Sequence, residues 1–278
     1  STNGGQNWSI ATTTKGNAPK QTVFVPETEQ VEESKLTPEL TPSPYTQIWS
    51  IDMVTDQIGW AVGTMSAVYK TTDGGLTWDS VATTLPAGLT LRKVDFINQN
   101  VGWIFSTYAS AAGTNTIFKT TDGGATWTGS MLTGQSASNL GIYGAHMLNE
   151  NVGWVVSYKP RPYVTTDGGA TWTEQNLVDT YSGFLYDIQM IDANVGYCVG
   201  GSGRIYKTTN GGVNWDTLTV PTRSYSNYNV HFLDANKGMV IGSSGTAFYT
   251  TDGGATWELT NSSGATQYGL SVATNSKG

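Results

Sequence analysis

The string TTDGGATW occupies residues 120–127 and returns unchanged at 165–172 and 250–257. Close variants stand at 1–8 (STNGGQNW), 71–78 (TTDGGLTW) and 208–215 (TTNGGVNW). From Trp78 onward the tryptophans of this string are separated by 49, 45, 43 and 42 residues. A period of about 40–50 residues marks a repeated structural unit. The residue types explain the turn. An Asp or Asn side chain can accept backbone N–H bonds from its own turn. The two glycines adopt positive φ without steric cost, and the tryptophan anchors the next strand in the core. Asn3, Asp73, Asp122, Asp167, Asn210 and Asp252 hold the acceptor position. A position that takes Asn as readily as Asp forms a turn and does not serve as a general acid.

A second string precedes each of the last five boxes: VTDQIGWAVG (54–63), INQNVGWIFS (97–106), LNENVGWVVS (148–157), IDANVGYCVG (191–200) and LDANKGMVIG (233–242). Each reads as a strand end, a polar turn closed by glycine, and a second strand, which is a hairpin signal. A third short apolar run, such as SAVYKT (66–71) or GRIYKT (203–208), leads into the box, and a fourth strand begins at its tryptophan. Four short strands per period without helical periodicity predict an all-β propeller of four-stranded antiparallel blades. About six blades are expected in one domain spanning 1–278, or seven if the chain is a fragment. The sixth would combine the box at 1–8 with the tail, where ATNSKG (273–278) aligns with LDANKG (233–238). The absence of an initiator methionine suits a mature form or a fragment. Residues 12–45, rich in Pro, Thr and Glu, read as an exposed excursion. Within it QTVFV (21–25) is expected to supply a strand to the incomplete blade, which also offers a route to self-assembly.

The paired box and hairpin resemble the BNR or Asp-box repeat of the sialidase and sortilin superfamily, and in particular the subgroup of photosystem II assembly factor-like proteins. The resemblance implies a propeller with its boxes on the periphery, away from the central face. Sialidases, sortilin-type receptors and xyloglucanases share the box, so it does not select a function.

Composition narrows the classes. The 278 residues carry 34 glycines, 38% hydrophobic residues, 13% charged residues and a net charge of −7. With no basic run to displace counterions, a nucleic-acid partner is not expected. No segment approaches the roughly 18 apolar residues of a membrane span, so insertion is not expected. Cys198, in the apolar run VGYCVG, reads as a buried, inert thiol. No cofactor and no metal site are expected.

Alignment of the first strands exposes two columns. Trp49, Arg92, Tyr143, Tyr186, Tyr228 and Tyr268 lie near the strand starts, at one mouth of a central channel, and form a candidate aromatic belt for ligand binding. Inter-blade packing is the competing structural reading. Asp52, Asp95, His146, Gln189, His231 and Ser271 follow three residues on. An odd spacing predicts opposite faces of the strand, and the structural reading of this column is that it ties blades together. Loops at the same mouth carry Tyr108, Tyr158, Arg161, Tyr181, Phe184, Arg204, Arg223 and Tyr225 as candidate recognition residues.

An enzyme is not expected. Sialidase chemistry needs three converging arginines, and Arg92, Arg161, Arg204 and Arg223 do not fall into such a pattern. A glycosidase needs two facing carboxylates, and Asp52 with Asp95 is the only centrally placed acidic pair the alignment offers. The expected function is a non-catalytic module that binds a protein or glycan partner. The acidic, Thr/Asn/Gly-rich composition suits a secreted, extracellular or cell-surface location, with the periplasm as the alternative. An assembly factor for a membrane complex is the second reading, weakened by the acidic charge and the lack of a visible basic cluster. A sialidase-like or xyloglucanase-like hydrolase is the third.

Overall fold

The computed structural model describes residues 46–107, 115–132, 141–177, 183–220, 225–260 and 266. By compactness the chain divides into two units, and every described residue lies in the unit Glu39–Ala273. These residues form a β-propeller of antiparallel four-stranded blades, of which five are described. Blade one is β1 (Ile48–Met53), β2 (Gly59–Gly63), β3 (Val68–Thr71) and β4 (Asp79–Ser80). Blade two is β5 (Leu91–Phe96), β6 (Gly102–Ser106), β7 (Ile117–Thr120) and β8 (Thr128–Ser130). Blade three is β9 (Ile142–Met147), β10 (Gly153–Ser157), β11 (Pro162–Thr165) and β12 (Thr173–Glu174). Next comes β13 (Asn176–Leu177), then blade four: β14 (Leu185–Met190), β15 (Gly196–Gly200), β16 (Ile205–Thr208) and β17 (Asn214–Thr217). Blade five is β18 (Asn227–Phe232), β19 (Gly238–Gly242), β20 (Ala247–Thr250) and β21 (Glu258–Leu259). The first strand of each blade packs against the first strand of the next. Strand β13 pairs in parallel with β17, giving blade four a fifth strand that sequence reading did not foresee. The box at 1–8 with Asn3, the stretch 12–45 with its expected strand at 21–25, and the tail of the sixth blade lie outside the described residues.

The core lies between blades. Trp60, Val62 and Val68 of blade one meet Val94, Phe96, Ile104 and Phe118 of blade two, and blades two and three repeat the arrangement around Trp103, Phe105 and Ile117. Each second strand opens on a glycine because the last side chain of the first strand lies across it. A methyl group at Gly102 would overlap the ring of Phe96, which is itself stacked on Trp60 at 3.8 Å. At Gly153 the corresponding neighbour is the flexible thioether of Met147.

The boxes join third to fourth strands. In that of blade two, Thr126 N and Thr126 Oγ1 donate to the two oxygens of Asp122 at 2.9 and 2.6 Å, and Thr120 Oγ1 donates to Asp122 Oδ1 at 2.8 Å. Gly123 and Gly124 take φ of 69° and 88°. Asn210 accepts the equivalent bonds from Thr208 Oγ1 and Asn214 N, both at 3.0 Å. The boxes of blades three, four and five also receive a donor from the preceding blade: Trp103 Nε1 to Gly168 O, Trp154 Nε1 to Gly211 O, and Tyr197 OH to Gly253 O. Of the box tryptophans, Trp172, Trp215 and Trp257 are buried as expected, whereas Trp78 and Trp127 are only half-buried. Strands β4, β8, β12 and β21 begin one residue after their tryptophans, not at them, and β17 begins one residue before Trp215.

The two glycine environments generate a contrast. Gly102→Ala is expected to cost about 2 kcal/mol, because the Phe96 ring is pinned by Trp60 and cannot yield. Gly153→Ala should cost clearly less, because Met147 can change rotamer. Urea unfolding of the two variants checks the order; equal losses would contradict the packing argument.

Candidate functional site

All five first strands start at one end, here termed the upper end, and the boxes lie at the lower end with the hairpin turns. Near its start every first strand is broken by the same irregularity. In β5 Leu91 pairs with Ser106 and Lys93 with Phe105, so Arg92 is an extra residue inserted between two ladder positions. The register slips in the same way at Trp49, Tyr143, Tyr186 and Tyr228. A β-bulge bends its strand and re-aims the side chain it carries. The bulge falls between the two columns of the alignment, so an odd spacing no longer implies opposite faces. The expectation of opposite faces therefore fails, for a reason that strand parity does not contain.

The re-aimed side chains meet from blade to blade. The Arg92 guanidinium lies 3.8 Å from the Trp49 ring centroid and 5.5 Å from that of Tyr143. Tyr143 meets Tyr186 edge-to-face at 5.7 Å, and Tyr186 meets Tyr228 at 4.9 Å. The loop residues Tyr158 and Phe184 extend this ladder, with Phe184 4.1 Å from Tyr158 and 6.2 Å from Tyr186. Of the other loop candidates, Arg161 pairs with Glu174 at 3.5 Å. Arg204 stands just before β16, where its carbonyl accepts from Asn227 Nδ2. Tyr225 is exposed at the upper end. Tyr268, Tyr108, Tyr181, Arg223 and Ser271 lie outside the described residues.

Beneath the ladder the polar column ties each blade to the next. Asp52 Oδ2 accepts from Phe96 N and Asp95 Oδ2 from Met147 N, both at 2.6 Å. His146 Nδ1 accepts from Met190 N at 3.2 Å, and Gln189 Oε1 accepts from Phe232 N at 2.6 Å. The column between, which sequence reading passed over, contains Ser50, Lys93, Gly144, Asp187 and Asn229. Lys93 Nζ of blade two reaches Asp187 Oδ1 of blade four at 4.0 Å, past blade three. Gly144 stands between them, and a Cβ there would collide with the Asp187 backbone. Asp187 also accepts from Val230 N at 3.2 Å. Asp187 is thus a third central carboxylate, which corrects the reading of Asp52 and Asp95 as the only such acids. The available signal was a lysine and an aspartate in one otherwise small, polar column.

Burial sets the electrostatics. It pushes Asp52 and Asp95 up to about 6, against the backbone N–H bonds and Lys93, which favour the carboxylates. It also raises Asp187, against the attraction of Lys93. Burial alone would lower Lys93, but Asp187, Asp95 and Asp52 together hold it above its ordinary value. His146 falls to about 4, through burial and the repulsion of Lys93. Burial drives the Cys198 thiol well above its usual range, as its apolar setting implied. The fold also sorts the surface charges. Arg92, Lys159, Arg161 and Arg204 all fall at the upper end, on three different blades, a distribution that no run of sequence shows. The lower end carries the box aspartates with Asp56, Glu150, Asp192 and Asp234, which outnumber Lys70, Lys119, Lys207 and Lys237 at the same end. Among the described residues no group of three or more His, Cys, Asp or Glu side chains is arranged to hold a metal ion.

Repeated boxes with interlocking blades define an Asp-box propeller. Residues 82–223 match the family model of the photosynthesis system II assembly factor YCF48, and residues 248–259 match the BNR/Asp-box repeat. That match covers just over half of the chain, which therefore belongs to the YCF48 family. Among solved structures, "YCF48 bound to D1 peptide" is similar at 19% identity, covering 77% of this chain and 82% of that one, with a TM-score of 0.46. YCF48 from Cyanidioschyzon merolae is similar at 19% identity, with coverage of 79% and 86% and a TM-score of 0.46. A GH74 enzyme from Niastella koreensis is similar at 18% identity, with coverage of 78% and 38% and a TM-score of 0.58. At these identities the likeness is one of fold. A search of curated protein sequences finds no match.

The shifted groups predict a pH profile. Asp52 and Asp95 bind protons more tightly folded (about 6) than unfolded (3.8), so their contribution is full below pH 4 and is lost as pH rises through 6. His146, depressed from 6.5 to about 4, opposes them, because its contribution is lost as pH falls through that range. The box aspartates Asp73, Asp122, Asp167 and Asp252, held at about 2 by threonine hydrogen bonds, contribute above 3.8 and lose that contribution as pH falls through 2. With Asp187 also raised, the acids outweigh His146. The melting temperature should rise from about pH 7.5 to about pH 5 and fall below about pH 3. The double variant Asp52→Asn/Asp95→Asn should flatten the rise and keep the fall. A rise of unchanged size in that variant would contradict the assignment.

Proposed function

We propose that the upper end binds an extended, acidic segment of a protein partner and that the chain is not an enzyme. The observation that carries this reading is the continuous ladder from Trp49 through Arg92 to Tyr228, built on five successive bulges. Its rings pack edge-to-face, and Arg92 lies over the Trp49 face. A sugar needs an open ring face to stack on, whereas this ladder presents ring edges, hydroxyls and positive charge. Those groups suit the carbonyls and carboxylates of a peptide. The basic upper end of an acidic molecule favours an acidic ligand and disfavours self-association through that end. The engagement of Asp52 and Asp95 with backbone N–H groups supports a non-catalytic role.

Family membership supports a second, narrower reading. The family takes its name from an assembly factor of photosystem II, and one member has been solved with a D1 peptide bound. For this chain the corresponding role is to hold an exposed segment of a subunit during assembly of a larger complex. An extracytoplasmic location is the setting the composition favours.

Parallel peptide and glycan arrays test the proposal. Acidic peptides should bind in a salt-sensitive manner, with affinity reduced about tenfold by Arg92→Ala or Tyr186→Ala. Binding to glycans alone, or peptide binding indifferent to both substitutions, would reject it.

A further inference from the structure

The turn between β2 and β3 holds an anomaly. Met65 and Ser66 are consecutive non-glycine residues with φ of 60° and 58°. Blades four and five place Ser202-Gly203 and Ser244-Gly245 at the matching positions, with φ of 54° and 68°, and of 54° and 71°. Blade one therefore has a bulky side chain in place of serine and no glycine to relieve the second left-handed residue. Such a conformation persists only where the surroundings over-determine it.

The surroundings do so here. Ser66 N donates to Leu89 O at 2.8 Å, Ser66 Oγ donates to Pro86 O at 2.6 Å, and Leu89 N donates to Ser66 Oγ at 2.9 Å. On the other side Thr64 N donates to Gln47 O, and Gln47 N donates to Thr64 Oγ1, both at 2.9 Å. The turn is bolted to the linker into blade two and to the segment two residues before Trp49. Yet Met65 itself is 67% exposed, and Trp49, two residues after Gln47, is 39% exposed. Two exposed apolar side chains thus lie at the upper end of blade one, Met65 on a rigid, strained support and Trp49 against the guanidinium of Arg92.

We infer that Met65, with Trp49, is the apolar anchor that sets the specificity of the upper end. It receives a large aliphatic or aromatic side chain of a partner segment whose neighbouring acidic residue faces Arg92. This inference rests on the peptide-binding reading above and adds to it the side chain the segment must carry. A thioether adapts to varied apolar shapes, while the pinned backbone removes the ordering cost that a flexible loop would impose. Charge complementarity selects the occupant. An apolar side chain flanked by a carboxylate fits a thioether presented at the same end as a paired indole and guanidinium.

Random dodecamer peptides displayed on phage test this with the full chain. The wild-type protein should enrich peptides that pair an acidic residue with Leu, Ile, Met or Phe. Met65→Gly and Met65→Ser should keep the acidic preference and lose the apolar one, binding wild-type-selected peptides about tenfold more weakly. Met65→Leu should restore both. The melting temperature of Met65→Gly should not fall, since glycine takes this φ freely. Enrichment of the same motif, with affinity within about twofold in all three variants, would overturn the anchor and leave the peptide-binding reading standing. Failure of the wild-type protein to enrich anything beyond what Tyr186→Ala enriches would overturn both.

Discussion

The architecture depends on one recurring hydrogen bond, in which a polar side chain from one blade's first strand accepts the backbone N–H of the next blade's first strand. Asp52, Asp95, His146 and Gln189 each make it, to Phe96, Met147, Met190 and Phe232. Sheets packed face to face through apolar side chains can slide, because dispersion and the hydrophobic effect carry little direction. A hydrogen bond of 2.6 Å to a buried amide fixes both height and angle. It also satisfies the N–H beside each apolar residue that closes a first strand, a group that is costly to leave unpaired. The acceptor differs from blade to blade because the geometric demand is for a lone pair. Carboxylate, imidazole and amide all supply one.

With that register fixed, the two ends of each blade are free to differ. At the lower end the boxes close their own turns, and those of blades three to five take a donor from the blade before; the box aspartates are engaged by their own threonines and held at about 2. At the upper end the bulges turn one residue per blade out of the pleat and into contact with its neighbours. Arg92 and Lys93 are adjacent in sequence yet serve separate layers. Arg92 joins the ladder, and Lys93 joins the ionic layer beneath it, reaching Asp187 over the space that Gly144 leaves open.

The blades were legible in the sequence because their signals are periodic. Gly-Trp after a polar turn and Asp-Gly-Gly before a tryptophan recur often enough to fix topology, strand order and the position of the Trp49 column. The bulges were not legible. Inserting one residue into a strand leaves no mark beyond a shift of alternation, and Leu91-Arg92-Lys93-Val94 reads as an ordinary strand. The error about opposite faces follows from that alone. The Lys93–Asp187 pair escaped notice because its partners lie two blades apart, at a range where local pattern carries no information. The basic upper end escaped notice because Arg92, Lys159, Arg161 and Arg204 come from three blades and share an end only in the fold. The strain at Met65 is a property of φ, and nothing in GTMSA announces it.

Residue-resolved amide hydrogen exchange of the wild-type protein and Asp95→Ala is the most direct measurement of whether side chains hold the blades in register. The N–H groups of Phe96, Met147, Met190 and Phe232 should exchange only through global unfolding. Asp95→Ala should selectively release Met147 while Met190 and Phe232 keep their protection. Rapid exchange at all four positions in the wild-type protein, or an unchanged Met147 in the variant, would contradict the account.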